Sequence, residues 1–129
     1  MCRLAEPLMT EGGTLFTMSY HGADKVIEHY NILGPVKAAL ESATRYLAAE
    51  LGPKGIRVHA ISPGPLKTRA ASGIDHFDEL MASVAARAPS RTLVSVEDVG
   101  ITTAILATAA GRMLTGATTY VDGGYNVMG

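Results

Sequence analysis

The sequence predicts an α/β fold, namely half of a doubly wound parallel sheet with helices packed on its faces. Stretches that suit helices alternate with short apolar stretches that suit strands, in the order helix, strand, helix, strand, helix, strand. Strands that alternate with helices form parallel sheets joined by right-handed crossovers. The length of 129 residues and an apolar fraction of 47% fit one domain with a buried core.

The first part of the chain predicts a helix end, a strand and a loop. Residues 2–11 have one apolar side and precede Gly12-Gly13, a pair typical of a helix C-terminus. Residues 14–20 are apolar and β-prone without clean alternation, which predicts a strand buried on both faces. Residues 21–29 are polar and mixed, so we expect a loop with a short helical turn.

The strongest predicted helix covers residues 36–51 and ends at Gly52-Pro53. Pro35 leaves two alternatives open, because an interior proline removes a helix hydrogen bond. Either the regular helix begins near Pro35, or its first turn is distorted. Apolar side chains recur at helical spacing and define the face that we expect to be buried: Val36, Leu40, Ala43, Leu47 and Leu51.

The second part of the chain predicts a strand, a long connection, a helix and a last strand. Residues 56–62 alternate and are β-branched, and Pro63-Gly64-Pro65 ends the run. Residues 66–92 predict an irregular or weakly helical segment, and a connection of that length is often functional. Ser95 is a suitable N-cap before acidic residues. The last predicted elements are a helix over residues 96–110 and a strand over residues 117–121.

Composition argues against several function classes. The net charge is −1 and no basic stripe is present, so neither nucleic acid nor an anionic membrane is an expected partner. The N-terminus lacks the apolar core of a secretory signal. The single cysteine cannot form an internal disulfide, and no Cys/His cluster has the spacing of a metal site. These features predict a cytoplasmic protein without a metal.

Tyr30 and Lys37 form the candidate catalytic pair. Seven positions correspond to about two helical turns, which would place both side chains on one face of a helix. An ammonium near a phenol favours the phenolate, so we expect a lowered Tyr30 pKa and a hydroxyl that is a better acid.

Several spaced segments match one known family. They are Ser19-Tyr20, Tyr30-Asn31 with Lys37, residues 55–65 (GIRVHAISPGP), residues 97–100 (EDVG), Thr115-Gly116, and residues 120–124 (YVDGG). Together they resemble the short-chain dehydrogenase/reductase family, and most closely its bacterial branch of NADH-dependent enoyl-acyl-carrier-protein reductases. The resemblance covers residues 1–129 and implies the C-terminal, catalytic half of a Rossmann-like domain.

The resemblance implies a role for each candidate residue and reduction of a trans-2-enoyl thioester carried by acyl-carrier protein. Tyr30 would donate to the thioester oxygen, Lys37 would hold the nicotinamide ribose of NAD(H), and Tyr20 would line the acyl pocket as a third catalytic residue. Residues 64–92 would form the substrate-binding loop, and the family implies a homo-oligomer, usually a tetramer. The other implied cofactor contacts are Pro63, Gly64, Leu66 and Thr68, and the other substrate contacts are Leu33, Ala70, Ile74 and Phe77.

The glycine-rich turn that holds a dinucleotide pyrophosphate is missing from the sequence. We therefore expect a truncated form that alone binds NADH weakly or not at all. Two other hypotheses stay open. One is a carbonyl or alcohol oxidoreductase of the same superfamily that uses Thr17, Tyr30 and Lys37. The other is a non-catalytic association module.

Overall fold

A computed structural model describes residues 2–66 and 77–128 of the chain. A three-stranded parallel sheet has the strand order β1-β2-β3, with helices packed against it. The α/β prediction is confirmed. The strands are β1 (Gly13–Met18), β2 (Ile56–Pro63) and β3 (Thr118–Val121), and the helices are α1 (Cys2–Ala5), α2 (Leu33–Leu51), α3 (Phe77–Arg87) and α4 (Val96–Ala107). Short 3₁₀ helices cover Glu6–Leu8, His21–Ala23, Gly52–Lys54, Ala109–Gly111 and Tyr125–Val127.

The central strand β2 carries most of the core. Its Ile56 pairs with Gly13 of β1, and its Ala60 pairs with Thr118 of β3. One side packs against α2, where Ile56 and Val58 contact Ala48 and Leu51. The other side packs against α4, where Ile61 lies in a cluster with Val99 and Leu106.

Strand β1 is less buried than its sequence predicts. Its interior residues are only partly buried, so the prediction of a strand covered on both faces was wrong. The strand pairs with β2 alone among the strands of the described residues, and an edge strand has fewer neighbours to cover its side chains.

Helix α2 buries only the later part of the face that its apolar spacing predicts, where Leu47 packs against the core and Leu51 is buried. Val36 remains 46% exposed, whereas Leu51 belongs to the buried face as expected. Small residues let the helix approach the sheet closely, and buried polar groups find local partners. Thr44 Oγ1, for example, donates to the Leu40 carbonyl at 2.9 Å. The buried residues of α2 are Gly34, Glu41, Thr44, Ala48 and Leu51.

The first helix is shorter than predicted. The α-helical part ends at Ala5 and a 3₁₀ turn follows, so the expected helix over residues 2–11 was wrong beyond its first turn. Pro7 explains the change, because it lacks an N–H and disfavours α-helical geometry at Glu6.

Helix α4 begins as predicted. Ser95 Oγ accepts from the Asp98 N–H at 3.1 Å, and the Asp98 carboxylate accepts from the Ser95 N–H at 2.9 Å, which forms a capping box. The helix ends at Ala107 rather than Ala110, and the 3₁₀ turn Ala109–Gly111 follows. Helix α3 supplies regular structure within the segment for which the sequence indicates only weak helicity.

Within residues 2–66 and 77–128, no helix is both long and apolar enough to cross a membrane. The same residues hold no group of three or more side chains placed to bind a metal ion.

Candidate active site

The candidate site lies at the carboxyl end of the parallel sheet, where open α/β sheets bind their ligands. Tyr20 follows β1 by two residues, Tyr30 lies in the turn before α2, and Lys37 lies in the second turn of α2. All three residues are partly buried.

The rings of Tyr20 and Tyr30 pack against each other. Their centroids are 5.3 Å apart, and the ring planes are inclined by 58°. Tyr30 also packs on the backbone of Gly22. A Cβ atom at Gly22 would lie 2.6 and 2.7 Å from two ring carbons of Tyr30, which is closer than real side chains approach. The position of the Tyr30 ring therefore requires glycine at residue 22.

Tyr30 is not part of the helix that carries Lys37. Its neighbours His29 and Asn31 both have left-handed backbone conformations, with φ of 62° and 48°. Helix α2 begins at Leu33, so Pro35 lies in the first turn, where its missing N–H is tolerated. The helix thus begins near Pro35, which was one of the two alternatives. The expectation that Tyr30 and Lys37 lie two turns apart on one regular helix was wrong.

Lys37 and the two tyrosines nevertheless all lie near one end of β1. The Lys37 ammonium donates to the Met18 carbonyl at 2.8 Å. Met18 is the last residue of β1, and the ring of Tyr20, two residues later, contacts Tyr30. The segment Met18–Tyr20 therefore contains one candidate catalytic residue, Tyr20, and contacts the other two, Lys37 and Tyr30.

Burial, rather than the lysine, dominates the titration of the two phenols. Burial raises the pKa of Tyr30 above its ordinary value, so the predicted lowering was wrong. Burial, followed by the nearby Tyr30 and Tyr125, raises the pKa of Tyr20 to about 12. Both hydroxyls are therefore protonated at neutral pH and can donate hydrogen bonds.

The polar groups at this end of the sheet fit the nicotinamide ribose of a dinucleotide. An ammonium has three donors, and Lys37 uses one of them on Met18. Within residues 2–66 and 77–128, its other two donors have no hydrogen-bond partner, and ribose hydroxyls are suitable acceptors for them. The pyrophosphate end has no counterpart here, because the sequence lacks the glycine-rich turn.

The other predicted cofactor contacts lie at or after the end of β2. Pro63 and Gly64 are buried, and the Gly64 N–H donates to the Val121 carbonyl at 2.9 Å. Leu66 packs against the cluster around Ile61, so its side chain belongs to the core. Thr68 lies outside the described residues.

The predicted substrate contacts are only partly described. Leu33 opens α2 and is 48% exposed, which leaves its side chain accessible. Phe77 opens α3, although its side chain lies outside the described residues, as do Ala70 and Ile74.

Sequence reasoning missed two features of the site. One is Gly22, for which the sequence offers no signal. The other is a buried hydrogen bond from Ser19 to Glu41. Glu41 lies at helical spacing from the small residues Gly34, Thr44 and Ala48, and this spacing could have indicated the buried face of α2.

Comparison with known proteins identifies the family. The family profile described as enoyl-(acyl carrier protein) reductase matches residues 1–126. The chain belongs to the enoyl-acyl-carrier-protein reductase family. The family resemblance is thus confirmed.

Relatives in this reductase family match the whole of this chain. The enoyl-[acyl-carrier-protein] reductase [NADH] FabI of Rickettsia felis is 47% identical over 129 residues, which cover 100% of this chain and 50% of that protein. The Bacillus cereus enoyl-acyl carrier protein reductase, solved with NADP+ and indole naphthyridinone, has a TM-score of 0.97 and 41% identity over 99% of this chain and 50% of its own. The Anaplasma phagocytophilum reductase, solved with NAD, has a TM-score of 0.90 and 43% identity over 99% of this chain and 46% of its own.

The chain therefore spans about half the length of the curated relatives that it matches. A coverage of about half does not say which half of a relative the chain matches. The assignment to the C-terminal half stays a prediction, which depends on the Tyr30 and Lys37 motifs and on the missing glycine-rich turn.

Proposed function

We propose that this chain supplies the catalytic half of an NADH-dependent enoyl-acyl-carrier-protein reductase of fatty-acid synthesis. The observation that carries the proposal is the position of Tyr20, Tyr30 and Lys37 at the carboxyl end of the sheet, where the two rings contact each other and Lys37 binds the Met18 carbonyl. Family membership adds support, because relatives over the whole chain are named as NADH-dependent enoyl reductases.

The reaction requires stabilisation of negative charge on the substrate. NADH, when bound, supplies the hydride that reduces the double bond of the enoyl thioester. As charge develops on the thioester oxygen, the Tyr30 hydroxyl donates a hydrogen bond to it, and an interaction that strengthens in the transition state accelerates the step. The raised Tyr30 pKa keeps that proton in place at neutral pH.

Lys37 and Tyr20 have supporting roles in this proposal. The Lys37 ammonium holds ribose hydroxyls and places a positive charge near the developing negative charge. The Tyr20 ring forms one wall of the acyl pocket and keeps water away from Tyr30, which it contacts. The substrate-binding role of residues 64–92 belongs to the same proposal.

A chimera tests the proposal together with the C-terminal assignment. This chain is fused behind the N-terminal half of the Rickettsia felis relative, and a second fusion places it before the C-terminal half. We expect only the first fusion to reduce a crotonyl thioester, measured by the loss of NADH absorbance, and we expect neither fusion to reduce simple ketones. A folded first fusion that binds NADH without reducing the thioester would overturn the proposal.

Tyr30→Phe in the active fusion isolates the key residue. Loss of one transition-state donor lowers kcat by about 10²- to 10³-fold. Tyr46→Phe is the matched control, because Tyr46 lies on α2 and is 77% exposed. A Tyr30→Phe protein with the kcat of the Tyr46→Phe control would exclude Tyr30 as the donor.

We also propose that the protein forms a homo-oligomer in the cytoplasm. Exposed apolar side chains on α2, and separately on α4 on the other side of the sheet, support self-association, because exposed apolar surface often marks an interaction site. They include Val36 on α2, and Ile101 and Ile105 on α4. Sedimentation of the active fusion as a monomer would contradict the oligomer.

A further inference from the structure

A buried carboxylate lies on α2, one helical turn after Lys37. Glu41 is 7% exposed, and its partner Ser19 is 4% exposed. The Ser19 hydroxyl donates to the Glu41 carboxylate. Glutamate is rarely buried, and an apolar side chain of similar volume often serves stability equally well. This buried pair therefore calls for an explanation other than stability.

Two hydrogen bonds connect helix α2 to the end of β1, at the consecutive residues Met18 and Ser19. Lys37 donates to the Met18 carbonyl at 2.8 Å, and Glu41 accepts from Ser19. Lys37 and Glu41 are four residues apart, so they lie on one face of the helix, about 6 Å apart along its axis. One attachment would let the helix pivot against the strand, whereas two attachments fix its direction and its position along the strand.

Tyr20 follows Ser19 directly, and Tyr30 lies just before the first turn of α2. The distance between their rings therefore depends on how the end of β1 is held against that helix. We propose that Glu41 is a positioning residue, which fixes the Tyr20 end of β1 against α2 through Ser19 and so sets the contact between the Tyr20 and Tyr30 rings. The role rests on the proposed function, in which Tyr20 forms a wall of the acyl pocket and Tyr30 donates to the thioester oxygen.

The decisive variant combines Ser19→Ala with Glu41→Met. It removes both polar partners at once and leaves no buried group without a partner, so the fold is expected to survive. Glu50→Met is the matched control, because Glu50 is exposed near the other end of the same helix. Glu41→Gln tests rescue, since its amide oxygen can still accept from Ser19.

The readout is the nuclear Overhauser effect between the ring protons of Tyr20 and Tyr30 in the full chain at neutral pH. We expect the cross-peak to weaken several-fold in the double variant and to keep its intensity in Glu41→Gln and Glu50→Met. Circular dichroism checks that each variant remains folded. A folded double variant with an unchanged cross-peak would overturn the proposal, and so would an equal loss in Glu50→Met.

If the double variant unfolds, the single variant Glu41→Met decides instead. It keeps Ser19 and removes only the carboxylate. The same weakening of the Tyr20–Tyr30 cross-peak is expected, and an unchanged cross-peak again overturns the role of Glu41.

A kinetic measurement separates this role from the proposed function. In the active fusion, the double variant is expected to lower kcat about 10-fold or more, as displaced reacting groups do, with an unchanged KM for NADH. An unchanged kcat would overturn the role. An inactive unmodified fusion would count against the proposed function only, because the ring contact is measured without catalysis.

Discussion

Gly22→Ala is the sharpest test of how the fold holds Tyr30. The added Cβ would lie 2.6 Å from a Tyr30 ring carbon, whereas ordinary contact begins at 3.4 Å, so the ring has to move by about 0.8 Å. A misplacement of about 1 Å can lower a catalytic rate by about 10²-fold, which corresponds to about 2.7 kcal/mol of transition-state stabilisation. We therefore expect kcat for the crotonyl thioester to fall by one to two orders of magnitude.

The matched control for Gly22→Ala is Gly52→Ala. A Cβ at Gly52 would meet no atom within 4 Å, and the backbone there has φ of −53°, which alanine adopts readily. Both variants are assayed in the active fusion, and thermal unfolding is recorded in parallel. The reasoning is refuted if Gly22→Ala retains a kcat within twofold of the Gly52→Ala control while both proteins remain folded.

Two further predictions concern titration and helix capping. The Tyr20 phenol is expected to titrate near 12 rather than 10 in a ¹³C NMR titration. Because the folded pKa of Tyr20 is raised, its contribution to the free energy of unfolding is complete below pH 10 and is lost as the pH rises towards 12. A titration midpoint near 10 would show that the Tyr20 hydroxyl is solvated. Ser95→Ala is expected to lower the free energy of unfolding by about 1 kcal/mol in urea, since it removes one bond of the capping box. Equal urea midpoints for Ser95→Ala and the unmodified chain would contradict this contribution.

The elements that sequence reasoning located well are those with local signals. Strand β2 follows from alternating β-branched residues, and the start of α4 follows from Ser95 with its acidic first turn. The capping box that begins α4 forms between residues three apart, whereas β2 pairs with β1 and β3, a pairing that its β-branched residues favour.

The buried face of α2 depends on contacts that are distant in sequence. Glu41 is buried because Ser19, 22 residues earlier, supplies a hydrogen bond. Apolar spacing alone selects Val36 and Leu40, and Val36 is in fact 46% exposed. Helical periodicity gives the length of this helix, but a polar residue on the buried face cannot be recognised until its partner is known.

The roles predicted for the site residues stay predictions, and the geometry around those residues differs from the one that the sequence indicates. Tyr20, Tyr30 and Lys37 lie near one end of the sheet, where the two rings contact each other and Lys37 binds the Met18 carbonyl. Tyr30 lies outside α2, between two residues with left-handed backbone, and not on one helix with Lys37. Burial also raises the Tyr30 pKa, whereas the lysine was expected to lower it. Neither backbone handedness nor solvent exclusion can be read from the spacing of a tyrosine and a lysine.

The turn that presents Tyr30 bears on attempts to make this protein more heat-resistant. A left-handed backbone costs an ordinary side chain about 1 kcal/mol or more. Histidine and asparagine tolerate it better than most, and glycine would relieve the cost that remains at His29 and Asn31. Glycine would also free the backbone on both sides of the phenol. A screen that selects only for melting temperature would therefore favour changes at these two residues that a screen for turnover would reject.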